Sequence, residues 1–542
     1  MIRQLAYSFI FLFLPILMQA QTFTSGNLPI IIISTNGVSI PDEPKIPGTM
    51  KIIDNGPGQI NHITDPGNVY DGNIGIEVRG ASSASYPQKP YAFETRDMLQ
   101  NQLNVPLFGF PSEHDWVLLA NYNDKVFMRN TLAFRLAQLT GHYASRTHYA
   151  EVIVNGEYEG IYIFGEKIKR DKGRVDIAKL LPDENSGEPM TGGYIFKIDY
   201  WDWSNSWRSG YHPIGHPDFD VHYVCYYPKP DDITVIQKEY IESYVNSFES
   251  VLYSNGFADT ANGYRKYIDA GSFIDYFLVN EVSRNNDGFK KSWYFYKDRD
   301  SIDRRINAGP VWDFDWAWKN IDECSIFSNT DGSGWAYMVN DCYPDVNSPG
   351  WHIRLLQDPL FRNELKCRYE FLRGNILNND TLLNWVDANV EYLWEAQQRH
   401  YTRWPILGLN VGTPVVGNIP TTFQGEIDDF KSWITSRLYW LDENMPGICT
   451  HTKLFSFTKS GQQPFIFPNP AGDIVFLEYP AGDEKPQVRI TGLTGREIPV
   501  NSNYKNQICS IDTHSLPCGI YFCHVLNSQK HSEKILKLII AR

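Results

Sequence analysis

For 542 residues the chain carries few cysteines, eight in all, and no two stand in a C-x-x-C pair. A zinc ribbon or a thioredoxin-type centre needs that spacing, so neither is expected. Positive charge is also scarce. Lys and Arg number 49 against 63 Asp and Glu, a formal net charge of −14. Phosphate backbones and anionic bilayers repel such a surface, so nucleic acid is not an expected partner. No run reaches the ~20 apolar residues that cross a bilayer, and the mature chain is expected to lack a transmembrane segment. G-x-G-x-x-G and Walker A loops are missing, so a bound phosphate would need another backbone cradle. No internal repeat or low-complexity tract is visible.

What is present is otherwise ordinary for a globular protein: 42% hydrophobic, 14% aromatic and 21% charged, with Trp and Tyr abundant. The length implies two or more folding units. Arg3, the apolar run 9–17 and the small residue Ala20 read as a removable secretory signal over 1–20, rather than a buried helix. The first cysteine is Cys225, so no thiol near the cleavage region can accept a lipid. Export permits disulfides, and Cys324 with Cys342 would close a short loop, although pairing cannot be read from sequence. The cysteines are taken as structural.

The β-branched run 30–33 opens the body as a strand, and 74–79 and 89–94 form two more around an Ala/Ser-rich loop, 80–85. Leu132, Leu136 and Leu139 predict a helix over 124–140, with Asn123 or Asp124 as N-cap and Gly141 just past its end. Asn155-Gly156 predicts a tight hairpin between 151–154 and 160–164. A strand is expected at 193–199, then a loop rich in Trp, Gly and His to about residue 220. Apolar stripes place helices over 273–284 and 427–441. From 445 to 461 the helical pattern gives way to short strands at 474–477, 487–490 and 519–522, a small antiparallel sandwich.

The chemistry concentrates in Asn285-Asn286-Asp287-Gly288, directly after a helix, and Trp312-Asp313-Phe314-Asp315, reached through the strand 293–296 and a charged turn. A carboxylate on the first loop can take the proton of an attacking hydroxyl, while one on the second holds a divalent cation that bridges phosphates. Such a cation is what lets an acidic protein accept a nucleotide. Two other readings fit the same residues. The aspartates can simply cap turns, or Trp312 and Trp316 beside paired carboxylates can line a sugar cleft.

Further matches run along the chain: Arg79-Gly80-x-Ser82-Ser83 with Lys89-Pro90-Tyr91, Asp115-Trp116-Val117-Leu118, Asp124-Lys125 with Met128-Arg129-Asn130, Asn155-Gly156-x-Tyr158-x-Gly160-x-Tyr162, Glu166-Lys167-Ile168 and Gly192-Gly193-Tyr194. In this order, over 28–445, they resemble the CotH kinase family, named for a spore coat protein and related at fold level to protein kinases. The resemblance implies an α+β chain: an atypical protein-kinase-like body followed by a small all-β sandwich. It implies ATP with Mg²⁺ or Mn²⁺, Asp287 as catalytic base, and Asp313 or Asp315 as metal ligand. It points to Arg79 and Lys89 for the phosphates, and to Glu166 for orienting a cation or serving the nucleotide. Each of these last three could equally be a surface ion-pair member. One departure stands out. Kinases supply a metal-binding Asn five residues after the catalytic Asp, whereas this chain has Ser292, preceded by Lys290 and Lys291.

The tail motifs 467–473, 492–496, 516–521 and 534–537 resemble the type A sorting domain of the type IX secretion system, with an ordinary adhesive sandwich as the alternative. That resemblance implies a linker at 446–464, a sorting domain at 465–542, the type IX machinery as partner, and a secreted or outer-membrane surface-attached product. The leading expectation is a secreted atypical kinase moving the ATP γ-phosphoryl group to a hydroxyl of a protein substrate whose identity the sequence does not give. A kinase-like surface protein that binds or builds without turnover is the alternative, and a carbohydrate-active enzyme stands third.

Overall fold

The isoleucine run Ile30–Ser34 closes a barrel by pairing parallel to Thr147–Val154 and antiparallel to Ile46–Ile53. The circuit continues through Tyr70–Val78, Tyr91–Arg96, Asp115–Ala120 and Glu157–Glu166 back to Thr147–Val154. Alternation along these strands sends Ile31, Ile33, Ile74, Ile76, Phe93 and Trp116 into one interior core. The computed structural model describes residues 23–449 and most of 465–540. The expected signal at 1–20 and nearly all of the expected linker at 446–464 lie outside the described residues.

The predicted hairpin forms on Asn155-Gly156, both at positive φ (51° and 88°), as a two-residue turn requires. The predicted helix begins later than its leucines suggest, at Arg129, and ends at Leu139. Phe127 at φ 62° interrupts the winding. Asp124, expected as N-cap, accepts instead from the Arg129 backbone N–H at 2.9 Å and from its guanidinium at 2.5 Å.

A second, antiparallel sheet has the order Ser206–Arg208, His222–Tyr227, Tyr194–Ile198, Trp293–Lys297, Ile306–Ala308. The loop expected to run to 220 therefore contains one short strand. Helices Val235–Leu252, Ala270–Ser283, Pro359–Arg373, Asn379–Arg403 and Phe423–Asn444 pack around it, and the predicted stripes at 273–284 and 427–441 lie on two of them. Asn379–Arg403 docks on the barrel. Arg399 pairs with fully buried Glu151 at 2.7 Å, and His400 Nδ1 accepts from the Ile161 N–H at 3.1 Å. Gly160, at φ 91°, permits that approach, because a Cβ there would stand 2.6 Å from His400 Nδ1.

Among the described residues there are two disulfides, Cys324–Cys342 and Cys367–Cys449. The tail forms two four-stranded antiparallel sheets around Val475, Leu477, Ile490, Ile511, Leu538 and Ile540, the expected sandwich. Among the described residues no helix is long and apolar enough to cross a membrane.

Candidate active site

The helix Ala270–Ser283 delivers the first loop. Asp269 caps its start, and Arg284 ends it in the left-handed conformation (φ 44°). The Arg284 guanidinium is held by Ser333 O at 2.6 Å, Asn320 Oδ1 at 2.7 Å and Phe327 O at 2.8 Å. Asn285 then joins the two loops. Its Nδ2 donates to Asp313 O at 3.1 Å, and its Oδ1 accepts the Asp287 N–H at 3.2 Å. Gly288 packs so closely on the helix that a Cβ would meet Asn280 Oδ1 at 2.0 Å. Asp287 Oδ1 faces Lys290 Nζ at 3.3 Å and Lys291 Nζ at 3.6 Å.

The second loop alternates. Phe314 is fully buried against Phe134, and its N–H donates to Asn130 Oδ1 at 2.8 Å. The flanking Asp313 and Asp315 turn the other way and act on each other's titration. Asp313 sits at φ 69°, a strained backbone for a residue with a Cβ. Burial raises both carboxyls above the usual carboxylate range; for Asp313 the charges of Asp315 and Asp287 add to it. Asn123 Nδ2, donating to Asp315 Oδ2 at 2.7 Å, and the charge of Lys319 oppose the rise at Asp315. Burial pushes Lys319 itself down to about 7, and its Nζ bonds neutral oxygens, Thr413 Oγ1 at 3.1 Å and Asn123 O at 3.4 Å. A cavity of about 350 Å³ opens on this side, lined in part by Asn123, Lys125, Arg129, Lys319 and Glu426.

The structure thus brings Asp287, Asp313 and Asp315 within one another's field. Arg79 joins them. Its guanidinium lies 5.3 Å from the Trp312 ring centre, and its buried Nη1 has no hydrogen-bond partner. Lys89 lies in the Ser-rich loop, where its Nζ donates to Ala84 O at 2.8 Å; Tyr86 of that loop feels the charges of Asp315 and Asp313. Glu166, itself fully buried, is in a separate cluster, 2.7 Å from Arg146 Nη2 and accepting from Tyr143 OH at 3.3 Å. Ser292, at φ 51°, donates its hydroxyl to Asp313 Oδ2 at 3.4 Å.

Two adjacent half-buried carboxyls, each raised by its surroundings, are a natural seat for a hard divalent cation, which offsets the charge they would otherwise carry together. Asp313 and Asp315 fit that role. The tighter trio Glu113, His114 and Asp115, the one such group among the described residues with ligand atoms all within 4.8 Å, does not. Lys169 Nζ fills it, 2.7 Å from Asp115 and 3.2 Å from Glu113.

Residues 76–441 match the family model described as CotH kinase protein. The chain belongs to the CotH kinase family. Residues 465–541 match a secretion system C-terminal sorting domain, so this CotH family member is handled by type IX secretion and is secreted or attached to the cell surface. No curated protein sequence matches it. Among solved structures, the twitchin kinase region from C. elegans aligns at 12% identity over 93% of this chain and 98% of that one, with a TM-score of 0.12.

Several residues of this CotH family site were not singled out from the sequence. Asn123 and Lys319 carried no local motif of their own; the fold brings Asn123 to Asp315 across 192 positions, whereas Lys319 stands four positions after it. Lys167, lowered by burial among Asp115, Lys45 and Arg79, follows Glu166 in a matched motif, which was the one signal for it.

Proposed function

We propose that this CotH family protein is an exported atypical kinase that transfers the γ-phosphoryl group of ATP to a hydroxyl of a protein acceptor with Mg²⁺ or Mn²⁺. The observation that carries the reading is the convergence of Asp287 with Asp313 and Asp315, whose carboxyls its charge helps to raise. In this reading Asp313 and Asp315 hold the cation, which supplies neutralisation of phosphate charge when bound. Asp287 accepts the proton of the acceptor hydroxyl as its oxygen attacks phosphorus and the bond to the β-phosphate oxygen breaks. Lys290 and Lys291, 3.3 and 3.6 Å from Asp287 Oδ1, carry positive charge to where the transferred group passes. Arg79, with an unsatisfied Nη1 beside Trp312, binds phosphate. Lys89 keeps a part through the shape of the Ser-rich loop, and Glu166 through Arg146. The body at 28–445 forms the kinase-like unit, with the tail at 465–542 as a separate domain.

A second reading, nucleotide binding without turnover, is favoured by Ser292 in the position where kinases carry Asn. The deciding experiment is ATP-dependent thermal shift and phosphate transfer with each metal, on wild type and Asp287→Asn. Transfer lost in Asp287→Asn, with the thermal shift kept, is the expected result. Shift without transfer in wild type would establish the second reading, and neither would overturn both.

A further inference from the structure

The Cys324–Cys342 loop lies between two carboxylates that reach back to the candidate active site. Glu323, immediately before the bridge, accepts from Asn286 Nδ2 at 3.0 Å and from Lys290 Nζ at 3.1 Å. Asp345, three residues beyond it, accepts from Lys291 Nζ at 3.2 Å and from Tyr200 OH at 2.7 Å, with Lys290 Nζ at 3.8 Å. Asn286, Lys290 and Lys291 all flank Asp287. Two ammonium groups are therefore shared among three carboxylates, and two of the three ride on the ends of a disulfide-closed loop. Lys290 is almost wholly buried, with 3% of its side chain exposed. A buried ammonium that loses a carboxylate partner is costly to retain, so this lysine depends on where Glu323 stands.

We propose that Glu323 and Asp345 are positioning residues: with the Cys324–Cys342 bridge, they hold Lys290 and Lys291 beside Asp287 and make the site's assembly depend on oxidation. This rests on the reading of Asp287 as the base. With the bridge open, the loop ends separate, Glu323 and Asp345 lose their fixed spacing, and the lysines, already 3.3 and 3.6 Å from Asp287 Oδ1, keep Asp287 as their one fixed carboxylate partner and quench it. Closing the bridge removes two electrons and two protons from the thiols. A disulfide oxidant, such as an oxidised dithiol oxidoreductase, accepts them, is reduced to its dithiol, and leaves one S–S bond in the protein. Such oxidants act outside the cytoplasm. A chain still inside the cell would carry an unassembled site, and export would complete it.

The test uses the full chain in three forms: oxidised wild type, Cys324→Ser/Cys342→Ser, and Glu323→Gln. Hydrogen exchange of amides 285–292 is measured relative to the helix Ala270–Ser283, together with transfer kinetics. Exchange in 285–292 should rise about tenfold or more in both variants while the helix holds. The kcat should fall by a similar factor with KM for ATP within about twofold, and Glu323→Asp should recover part of it. Unchanged exchange over 285–292 in Glu323→Gln would overturn the proposal, and that variant decides should the double serine chain fail to fold. If wild type shows no transfer, the kinase reading fails by itself, and exchange still decides the clamp.

Discussion

Asn123 and Asp315 meet at 2.7 Å across 192 positions of sequence. The amide leaves the barrel just after Asp115–Ala120 and donates to a carboxylate that burial, with the charge of Asp287, otherwise raises. A hydrogen bond to a charged group contributes about 1.5–3 kcal/mol. Asn123→Leu should therefore lower stability by about 2 kcal/mol in urea denaturation without added cation. Asn123→Asp should cost more near neutral pH, since a third carboxylate joins the pair. Part of that loss should return with Mg²⁺ or Mn²⁺, and a loss indifferent to the cation would argue against a metal at Asp315.

The two buried classes of titrating group pull stability in opposite directions with pH. His352 and His400 are pushed down to about 3 by burial, from an ordinary 6.5. Below 6.5 the unfolded chain takes up protons that the native state refuses, so stability is lost on acidification at about 1.4 kcal/mol per pH unit per histidine. Asp313 and Asp315 are raised, so the native state holds more protons than the unfolded chain and stability falls as pH rises through the raised value. Melting temperature should fall on acidification below pH 6.5, because the two histidines together outweigh the opposing contribution of the carboxyl pair. His400→Gln should halve the acid slope. Asp313→Asn or a divalent cation should steepen it by removing the opposing carboxyl contribution, and an acid slope untouched by both would sink this assignment.

What the sequence made legible was local. Asn155-Gly156 dictates its own turn, and the apolar stripes at 273–284 and 427–441 dictate helices because their periodicity survives any packing. Asp287, Asp313 and Asp315 were visible as two short motifs after regular elements. The helix start at Arg129 was not, because Asp124 caps it from five residues away through a positive-φ turn at Phe127. Asn123, Glu323 and Asp345 were invisible as site residues, since each acts on a partner tens to hundreds of positions distant. Glu166 shows the reverse: a matched motif whose side chain the fold spends on Arg146.

Arg399 and Glu151 join the helix Asn379–Arg403 to the barrel. Glu151 is fully buried, and Arg399 Nη2 at 2.7 Å and Tyr158 OH at 2.6 Å are its charge and hydrogen-bond partners. Removing one member of such a pair leaves an uncompensated charge and costs about 3–5 kcal/mol. Arg399→Met should lose about 3 kcal/mol in chemical denaturation, whereas Arg399→Met with Glu151→Gln should recover part of it. A double variant no better than the single one would mean that the helix docks through its apolar contacts.

Cys367–Cys449 ties the helix Pro359–Arg373 to the segment just after Phe423–Asn444, with a sequence separation of 82. A loop of that length restricts the unfolded chain by about 4 kcal/mol in the chain-entropy account. Cys367→Ser/Cys449→Ser should lower stability by that order in guanidinium, chiefly through the midpoint. Because Cys449 precedes 450–464, a cut anywhere in that stretch leaves the bridge inside the body. A chain ending at 455 should then melt within a few degrees of the body transition of the full protein, whereas one ending at 448, lacking Cys449, should melt well below it. Equal melting of the two truncations would show that the bridge contributes little and that the helices alone hold the end of the body.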